Sequence, residues 1–228
     1  MKRISYEIEW PCELSAEIKA LLLECAIEIH GVPKRNPSHR SQQGGVFYVT
    51  QGIMSVTFSA EKTNTMNAGL VGSGMWFGGI VMSSDISLNA TLDEILPISF
   101  LYFPKDKVDK LAQANHEVYK WLYYSTVEVQ KDWIQAQICS LYDRESRVVF
   151  SLLQIAQRLP SVQGSLIKID ISQKQLSQIT GISRPRLNEV LKALESQSEV
   201  SLERGSIHLL ELDALQQRVD KLATHLKT

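Results

Sequence analysis

The sequence predicts an α+β fold in three parts: an N-terminal antiparallel β-roll of jelly-roll type, one long helix, and a C-terminal helix-turn-helix with a β-hairpin wing. Three observations carry this. Between residues 46 and 103, short β-branched and aromatic runs alternate with glycine corners, as the strands of a small sandwich or barrel do. Residues 115–141 contain no Gly or Pro. Residues 171–195 read as two short helices around a tight turn.

That last stretch is the most informative. Ser172 and Gln175 form an S-x-x-Q capping box. Leu176 and Ile179 give the first helix one apolar face, and Gly181 closes it, because glycine enters the left-handed region without steric cost. Ser183 stands as cap of a second helix, with Pro185 in its first turn, where a missing N–H costs nothing. Leu187, Val190, Leu191 and Leu194 make a buried stripe at i, i+3, i+4, i+7. Arg184, Arg186, Asn188, Glu189 and Lys192 are left outside. A solvated αα-hairpin would show the same stripe, but would not need donors at the N-terminal end. Val200 to Leu209 then alternates at strand period around Glu203-Arg204-Gly205-Ser206, which is a hairpin in the place of a wing. Leu166 to Ile171 alternates as a short strand able to pair with it.

These residues resemble the C-terminal winged helix of the Crp/Fnr family of bacterial transcription regulators. The likeness rests on Ile171-Ser-Gln-Lys-Gln-Leu, Gly181-Ile-Ser-Arg, Val190-Leu-Lys-Ala-Leu-Glu195 and the hairpin, and extends more weakly over the rest of the chain. It implies a cyclic-nucleotide-type β-roll sensor over 1–114, a dimerisation helix over 115–142 and a DNA-binding winged helix over 143–228.

Length and composition agree with two modest domains: 228 residues, 44% hydrophobic and 21% charged, neither disordered nor fibrous. No apolar run approaches a membrane span, and the N-terminus lacks the apolar core of a signal peptide, so a cytoplasmic location is expected. Cys12, Cys25 and Cys139 are too few and too scattered for a disulfide framework, a zinc site or a four-thiolate cluster. Buried thiols are the simpler reading, with a redox role for Cys12 or Cys25 as the alternative. The formal net charge is −1, yet residues 168–192 hold 5 basic against 2 acidic side chains. The helix-turn-helix is thus a local basic patch on a near-neutral chain, a weak electrostatic footprint for nucleic acid.

In chain order, residues 1–15 read as a mobile arm, and Ser15 caps an amphipathic helix to Ala26 with Ile18, Leu21, Leu22 and Cys25 on one face. Residues 27–32 alternate briefly as a strand, and 33–45 read as a polar loop. Residues 46–58 are strand-like, with Gly52 at a bend or bulge, followed by a turn at 60–64. Strands are expected over 87–91 and 96–103, and a helix over 105–114 after Pro104. Gly74-Met-Trp-Phe-Gly-Gly resembles the entry to the family's phosphate-binding cassette. The cassette's ribose-binding glutamate is replaced by Gly79, and its phosphate-binding arginine would fall at Ser87 or Leu88. A buried phosphate without a guanidinium is costly to desolvate, so cyclic nucleotide is not expected. Phe77, Gly78, Gly79, Ser87 and Asn89 remain as the lining of a pocket for another effector, beside the alternative of a filled roll. His30, His39 and His116 show no spacing that would single out a haem ligand. No cofactor or metal is predicted, and the effector is left unknown.

In the long helix, Val118, Leu122, Ser125, Val129, Trp133 and Ala136 follow an alternating 4,3 spacing, which reads as the seam of a homodimer. Tyr123, Val127, Ile134 and Leu141 form a second stripe, available to pack on the roll. Residues 143–147 read as a hinge, and 148–158 as the first helix of the winged domain.

The reading is a homodimeric, sequence-specific regulator of inverted repeats on double-stranded DNA, with RNA polymerase a further candidate partner and no membrane. Arg184 is the expected base reader, with Asn188 and Glu189 as further readers. Ser172, Lys174, Ser183, Arg186, Lys192 and Arg204 are expected at phosphates. In well-known members of the family the place of Glu189 holds arginine and that of Pro185 glutamate, which argues for a different half-site. No catalytic order, metal cluster or nucleotide-phosphate loop supports an enzyme. The competing class is a ligand- or partner-binding module whose helix-turn-helix no longer binds DNA, against which the exposed Arg184 and Arg186 speak.

Overall fold

A computed structural model describes residues 7–32, 44–58, 66–79, 90–159 and 167–223. The chain enters over the roll rather than as a free arm. Residues 7–15 are tied down: Glu9 N–H donates to Tyr48 Oη (3.1 Å), Trp76 Nε1 to Glu9 O (2.7 Å), Lys120 Nζ to Glu13 O (3.1 Å) and Ser15 N–H to Glu117 Oε2 (2.7 Å). Trp10 packs on Trp76 at 5.4 Å. Local sequence polarity carries no trace of these long-range partners. Helix α1 (Ala16–Cys25) starts at Ser15, whose side chain accepts from Ile18 N–H, and buries Ile18 and Leu22.

The roll is one antiparallel sheet in the order β1 (Ile27–His30), β5 (Ala90–Pro104), β2 (Gly45–Phe58) and β3 (Met66–Gly72), with the short β4 (Trp76–Phe77) also paired to β2. The strand expected from Leu96 begins at Ala90 and runs straight through Pro97. A proline survives there because the ladder bulges: pairing jumps from Gln51↔Ser99 to Ile53↔Leu96. Gly52 lies opposite, at φ +90°, and a Cβ on it would lie 2.1 Å from Pro97 O. The bulge expected at Gly52 is present, and only glycine fits it. The turn expected at 60–64 lies outside the described residues, as do 87–89 of the strand expected over 87–91.

Helix α2 (Lys105–Ala114) and helix α3 (Glu117–Ser140) follow, separated by Asn115 and His116. Helix α3 distributes its two apolar stripes differently from the expectation. Val118 and Ser125 of the expected dimer seam are fully buried within the protomer, and Leu122, Val129 and Ala136 are half-buried; Trp133 alone of the six is exposed. With Trp121 and Cys139 they form the face that meets the rest of the chain. Of the stripe assigned to the roll, Val127 is half-buried, but Tyr123 is 64% exposed, Ile134 48% and Leu141 84%, with Tyr119 at 59% beside them. Both stripes are apolar at helical spacing, so periodicity alone does not say which one the roll takes.

Helix α4 (Arg144–Gln157) starts four residues earlier than expected, so the expected hinge is its first turn. Asp143 is the cause: its carboxylate accepts from Ser146 N–H (3.0 Å) and from Ser146 Oγ (2.7 Å). Leu141 and Tyr142 alone separate this cap from α3. Next come β6 (Ile167–Ile169), α5 (Gln173–Thr180), α6 (Arg184–Ser196), β7 (Val200–Glu203) and β8 (Ser206–Leu209). Strand β6 pairs with β8, and β8 with β7, as the alternation suggests. Helix α7 (Leu212–Ala223) is an element the sequence reading lacks, although Leu212, Leu215 and Val219 share a face and join the C-terminal core. Arg218 of α7 donates to Glu199 Oε2 (2.9 Å) and to Glu145, tying the entry to the wing to the start of α4.

The C-terminal core gathers Val148, Leu152, Ile155, Leu176, Leu187, Leu191 and Leu209, and is continuous with Ile53, Leu70 and Ile95 of the roll. A second core lies between the roll, α1, α2 and α3, around Trp76, Phe103 and Trp121.

The Asp143 cap gives a measurable pH effect. The Ser146 N–H bond, the largest influence, holds its carboxyl below the ordinary carboxylate range. A depressed acid stabilises the fold above its unfolded pKa and loses that contribution as pH falls through its folded value. Asp143→Ala should cost about 0.5–2 kcal/mol at neutral pH. In urea unfolding the gap from wild type should close on the acid side; a gap independent of pH would show that the carboxylate is not the cap.

Candidate nucleic-acid interface

The helix-turn-helix is built as its local signals require. Ser172 N–H donates to Gln175 Oε1 (3.0 Å) and Gln175 N–H to Ser172 Oγ (3.2 Å), so the capping box is closed. Gly181 turns the chain at φ +65°. Thr180 Oγ1 donates to Leu176 O at 2.8 Å, and Ser177 Oγ to Ile182 O at 2.6 Å, holding the turn from inside. Leu187, Leu191 and Leu194 are fully buried under α6, and Val190 is half-buried. This fixes the outward face of α6.

On that face Arg184, Arg186, Glu189 and Lys192 are exposed, and Asn188 is half-buried. Ser172 and Lys174 are exposed at the start of α5, and Arg204 at the wing turn beside Gly205 (φ +86°). Ser183 is exposed at the start of α6, so all the sequence-predicted residues of this site stand exposed or half-exposed on α5, α6 and the wing. Two differ in detail. The Ser172 hydroxyl donates to Gln175 Oε1 (2.7 Å), so its proton is engaged in the cap. Ser183 occupies the cap position of α6 but its side chain makes no capping bond, so N–H groups of the first turn are left for another acceptor. Gln173, which the sequence reading does not single out, places its Nε2 3.5 Å from Asn188 Oδ1, a long contact that joins the start of α5 to the outward face of α6. Only the folded turn brings these two together, so their spacing carries no signal.

At the other candidate site, Phe77 stacks on Phe47 (4.8 Å) and meets Phe100 edge-on (6.3 Å). Tyr102 also stacks on Phe47, at 4.9 Å. Gly78 is at φ +92°, and a Cβ there would lie 2.6 Å from Gly45 O. A Cβ at Gly79 would lie 2.5 Å from Thr126 Oγ1 of α3. Helix α3 therefore lies over the position where the cassette's glutamate would stand. Ser87 and Asn89 lie outside the described residues. Burial pushes the Cys12 and Cys25 thiols up and carries Cys139 to about 11, which disfavours reactive thiolates. Among the described residues no cluster of His, Cys, Asp and Glu is placed to hold a metal, and no helix is long and apolar enough to cross a membrane.

Residues 146–218 match the model of the Crp-like helix-turn-helix domain. Solved structures share the fold of nearly the whole chain. A transcriptional regulator of the Crp/Fnr family from Eubacterium rectale aligns with a TM-score of 0.68 at 15% identity, covering 91% of this chain and 95% of its own. FixK2 from Bradyrhizobium japonicum gives 0.66 at 16%, covering 84% and 96%. The c-di-GMP responsive global regulator CLP from Xanthomonas campestris gives 0.67 at 18%, covering 86% and 99%. No curated protein sequence matches the chain. The chain carries a Crp-like helix-turn-helix domain on the mixed α+β fold of the Crp/Fnr transcription regulators, with a cyclic-nucleotide-binding-like roll.

The crowding at Gly79 yields a prediction. Titration calorimetry with cyclic AMP or cyclic GMP should show no micromolar binding. Gly79→Glu should not create it, and should instead lower the melting temperature, because the new side chain meets Thr126. Binding gained by that substitution would mean that α3 can withdraw from the roll.

Proposed function

We propose that this protein is a homodimeric transcription regulator that reads an inverted repeat through its two winged helices, in the cytoplasm where the DNA lies. The supporting observation is the set of exposed cations Arg184, Arg186, Lys192 and Lys174 on a helix pair whose turn and apolar stripe are satisfied from within. Such donors on a rigid support suit a major groove and its flanking phosphates. Arg184, in the first turn of α6, is the base reader, because a guanidinium fits guanine O6 and N7. Arg186 is turned ~200° from it at ~100° per residue and serves the backbone with Lys174, Lys192, Ser183 and Arg204. Asn188 and Glu189 are the remaining readers. Glu189 accepts rather than donates, which suits cytosine N4.

The second copy meets the exposed stripe of α3. Tyr119, Tyr123, Ile134 and Leu141 lie within about 60° of one another around the helix. A stripe this apolar is expected at an interface rather than in water. RNA polymerase fits as a further partner of a regulator of this class. The roll, its cassette lacking both the carboxylate and the guanidinium, senses something other than cyclic nucleotide.

Selection of bound DNA fragments by the purified protein should yield an inverted repeat. On single-base variants of that site, Arg184→Ala should cost about 1–3 kcal/mol and relax the preference at one base pair per half-site. Arg186→Ala or Lys174→Ala should weaken all variants alike and lower the salt slope by about one unit for each phosphate no longer neutralised. An even weakening across the panel for Arg184→Ala would transfer the reading role to Asn188 or Glu189.

Replacing Tyr123 and Ile134 together with lysine should give monomers in sedimentation, since the charges would enter an apolar seam. An unchanged dimer mass would place the interface elsewhere.

A further inference from the structure

Arg158 stands just past the last residue of α4, at the far end of that helix from the Asp143 cap. Its side chain is only 11% exposed. The guanidinium reaches out of the C-terminal unit. Nη2 donates to Asp132 Oδ2 of α3 at 2.8 Å, and Nε to Met75 Sδ, between β3 and β4, at 3.4 Å. Nη1 donates to Gln154 O at 2.8 Å and to the Gln154 side chain, which holds the group on its own helix. The aliphatic stem lies on Gly72 of β3, where a Cβ would meet Arg158 Cβ, Cγ and Cδ, each at 3.0 Å. A second polar tie joins the same two parts: Gln175 Nε2 of the capping box donates to Glu94 O of β5 at 2.9 Å.

We infer that Arg158 is a positioning residue for two-site DNA recognition, fixing each winged helix on the α3 that joins the two copies. The inference rests on the homodimer proposed above. Between α3 and α4 the chain offers only a short link, Leu141 to Asp143, which alone would leave the winged helix free to swing. Beside the apolar core and the Gln175–Glu94 bond, the pair Arg158–Asp132 adds a directional attachment at the opposite end of α4 from that link. Asp132 lies on α3 between Tyr123 and Ile134 of the proposed stripe, so the tie runs directly from the joining helix to the C-terminal unit. Arg158 is largely buried and Asp132 about a third exposed (34%), and their ion pair is directional where apolar burial is not. The arrangement leaves Arg184, Arg186 and Lys192 exposed, so the attached state is open to DNA.

The test uses the full-length protein and operators built from the selected repeat, with half-site separation altered by about one or two base pairs, and a single half-site as control. Wild type should prefer one separation. Arg158→Gln and Asp132→Asn should lower affinity for that separation on the order of tenfold and accept the altered ones nearly as well, with single half-site affinity unchanged. Gly72→Ala, which presses on the Arg158 stem without touching a charge, should do the same, and it carries the test if Arg158→Gln does not fold. Variants that keep the wild-type spacing preference would overturn the inference while leaving the homodimer reading intact. A wild-type protein indifferent to spacing would sink the homodimer reading, and this inference with it.

Discussion

Helix α3 is apolar on two faces, and a single protomer can cover only one of them. Much else in the structure follows from which face is covered. The inner face carries Val118, Trp121, Ser125 and Cys139. Trp121 decides the matter: it is fully buried and meets Trp76 and Phe103 edge-on at 5.4 and 5.3 Å. A buried tryptophan removes roughly 150–250 Å² from water, and at about 25 cal/mol per Å² this contributes on the order of 4–6 kcal/mol. Against it stands the Trp121 Nε1–H, which finds no partner among the described residues. An unmade bond of this kind costs about 1–3 kcal/mol, so burial wins. The tyrosines at 119, 123 and 124 have no such advantage inward, because each would bring a hydroxyl into the same apolar core.

Docking α3 by that face has a consequence for the roll. The helix comes close enough that Thr126 occupies the space of any side chain at Gly79, while its own hydroxyl donates to Leu122 O at 2.8 Å. The contact falls at the place where the cassette's glutamate would stand. Aromatic rings fill the sheet side, with Phe47 in contact with Phe77, Phe100 and Tyr102. The glycines at 78 and 79 are kept by close packing: one faces a backbone carbonyl, the other a helix. A glycine-rich match to a ligand motif and a glycine-rich packing site look alike in sequence, and only the neighbouring atoms separate them.

The parts of the fold legible in the sequence are those whose causes are local. The capping box at Ser172, the left-handed Gly181, the leucine stripe of α6 and the hairpin around Gly205 each need only a few consecutive residues, and each stands where the sequence places it. The elements that differ have the opposite character. The segment at 7–15 is held by Tyr48, Trp76, Glu117 and Lys120, all distant in the chain. Strand β5 runs through Pro97 because Gly52 bulges opposite it, a pairing that neither segment shows alone. The covered face of α3 depends on which of two comparable stripes the aromatic core prefers. Asp143 is a different case, since D-x-x-S before an apolar helix is a local cap signal, and only its run of charges gives it the look of a hinge.

The electrostatics of the chain make geometry more important than charge. A surface with so small a positive excess gives each winged helix little non-specific hold on DNA. In the dimer proposed above, specific binding would depend on how well two half-sites are engaged at once, and that on how rigidly each winged helix is carried. Rigidity here has three sources of different kind. The apolar core runs without interruption from Leu152 and Ile155 to Ile53 and Leu70 of the roll. Arg218 locks the entry to the wing onto the start of α4 through Glu199 and Glu145. Arg158 locks the end of α4 to α3 and to the roll. The apolar contact supplies most of the free energy but little direction, since hydrophobic burial is non-directional. The two arginines supply direction, because a guanidinium fork bonds well in only one plane. In the proposed regulator, whose exposed helix-turn-helix face carries few cations, an arginine that fixes the orientation of the winged helix would do more for recognition than one more contact to a phosphate.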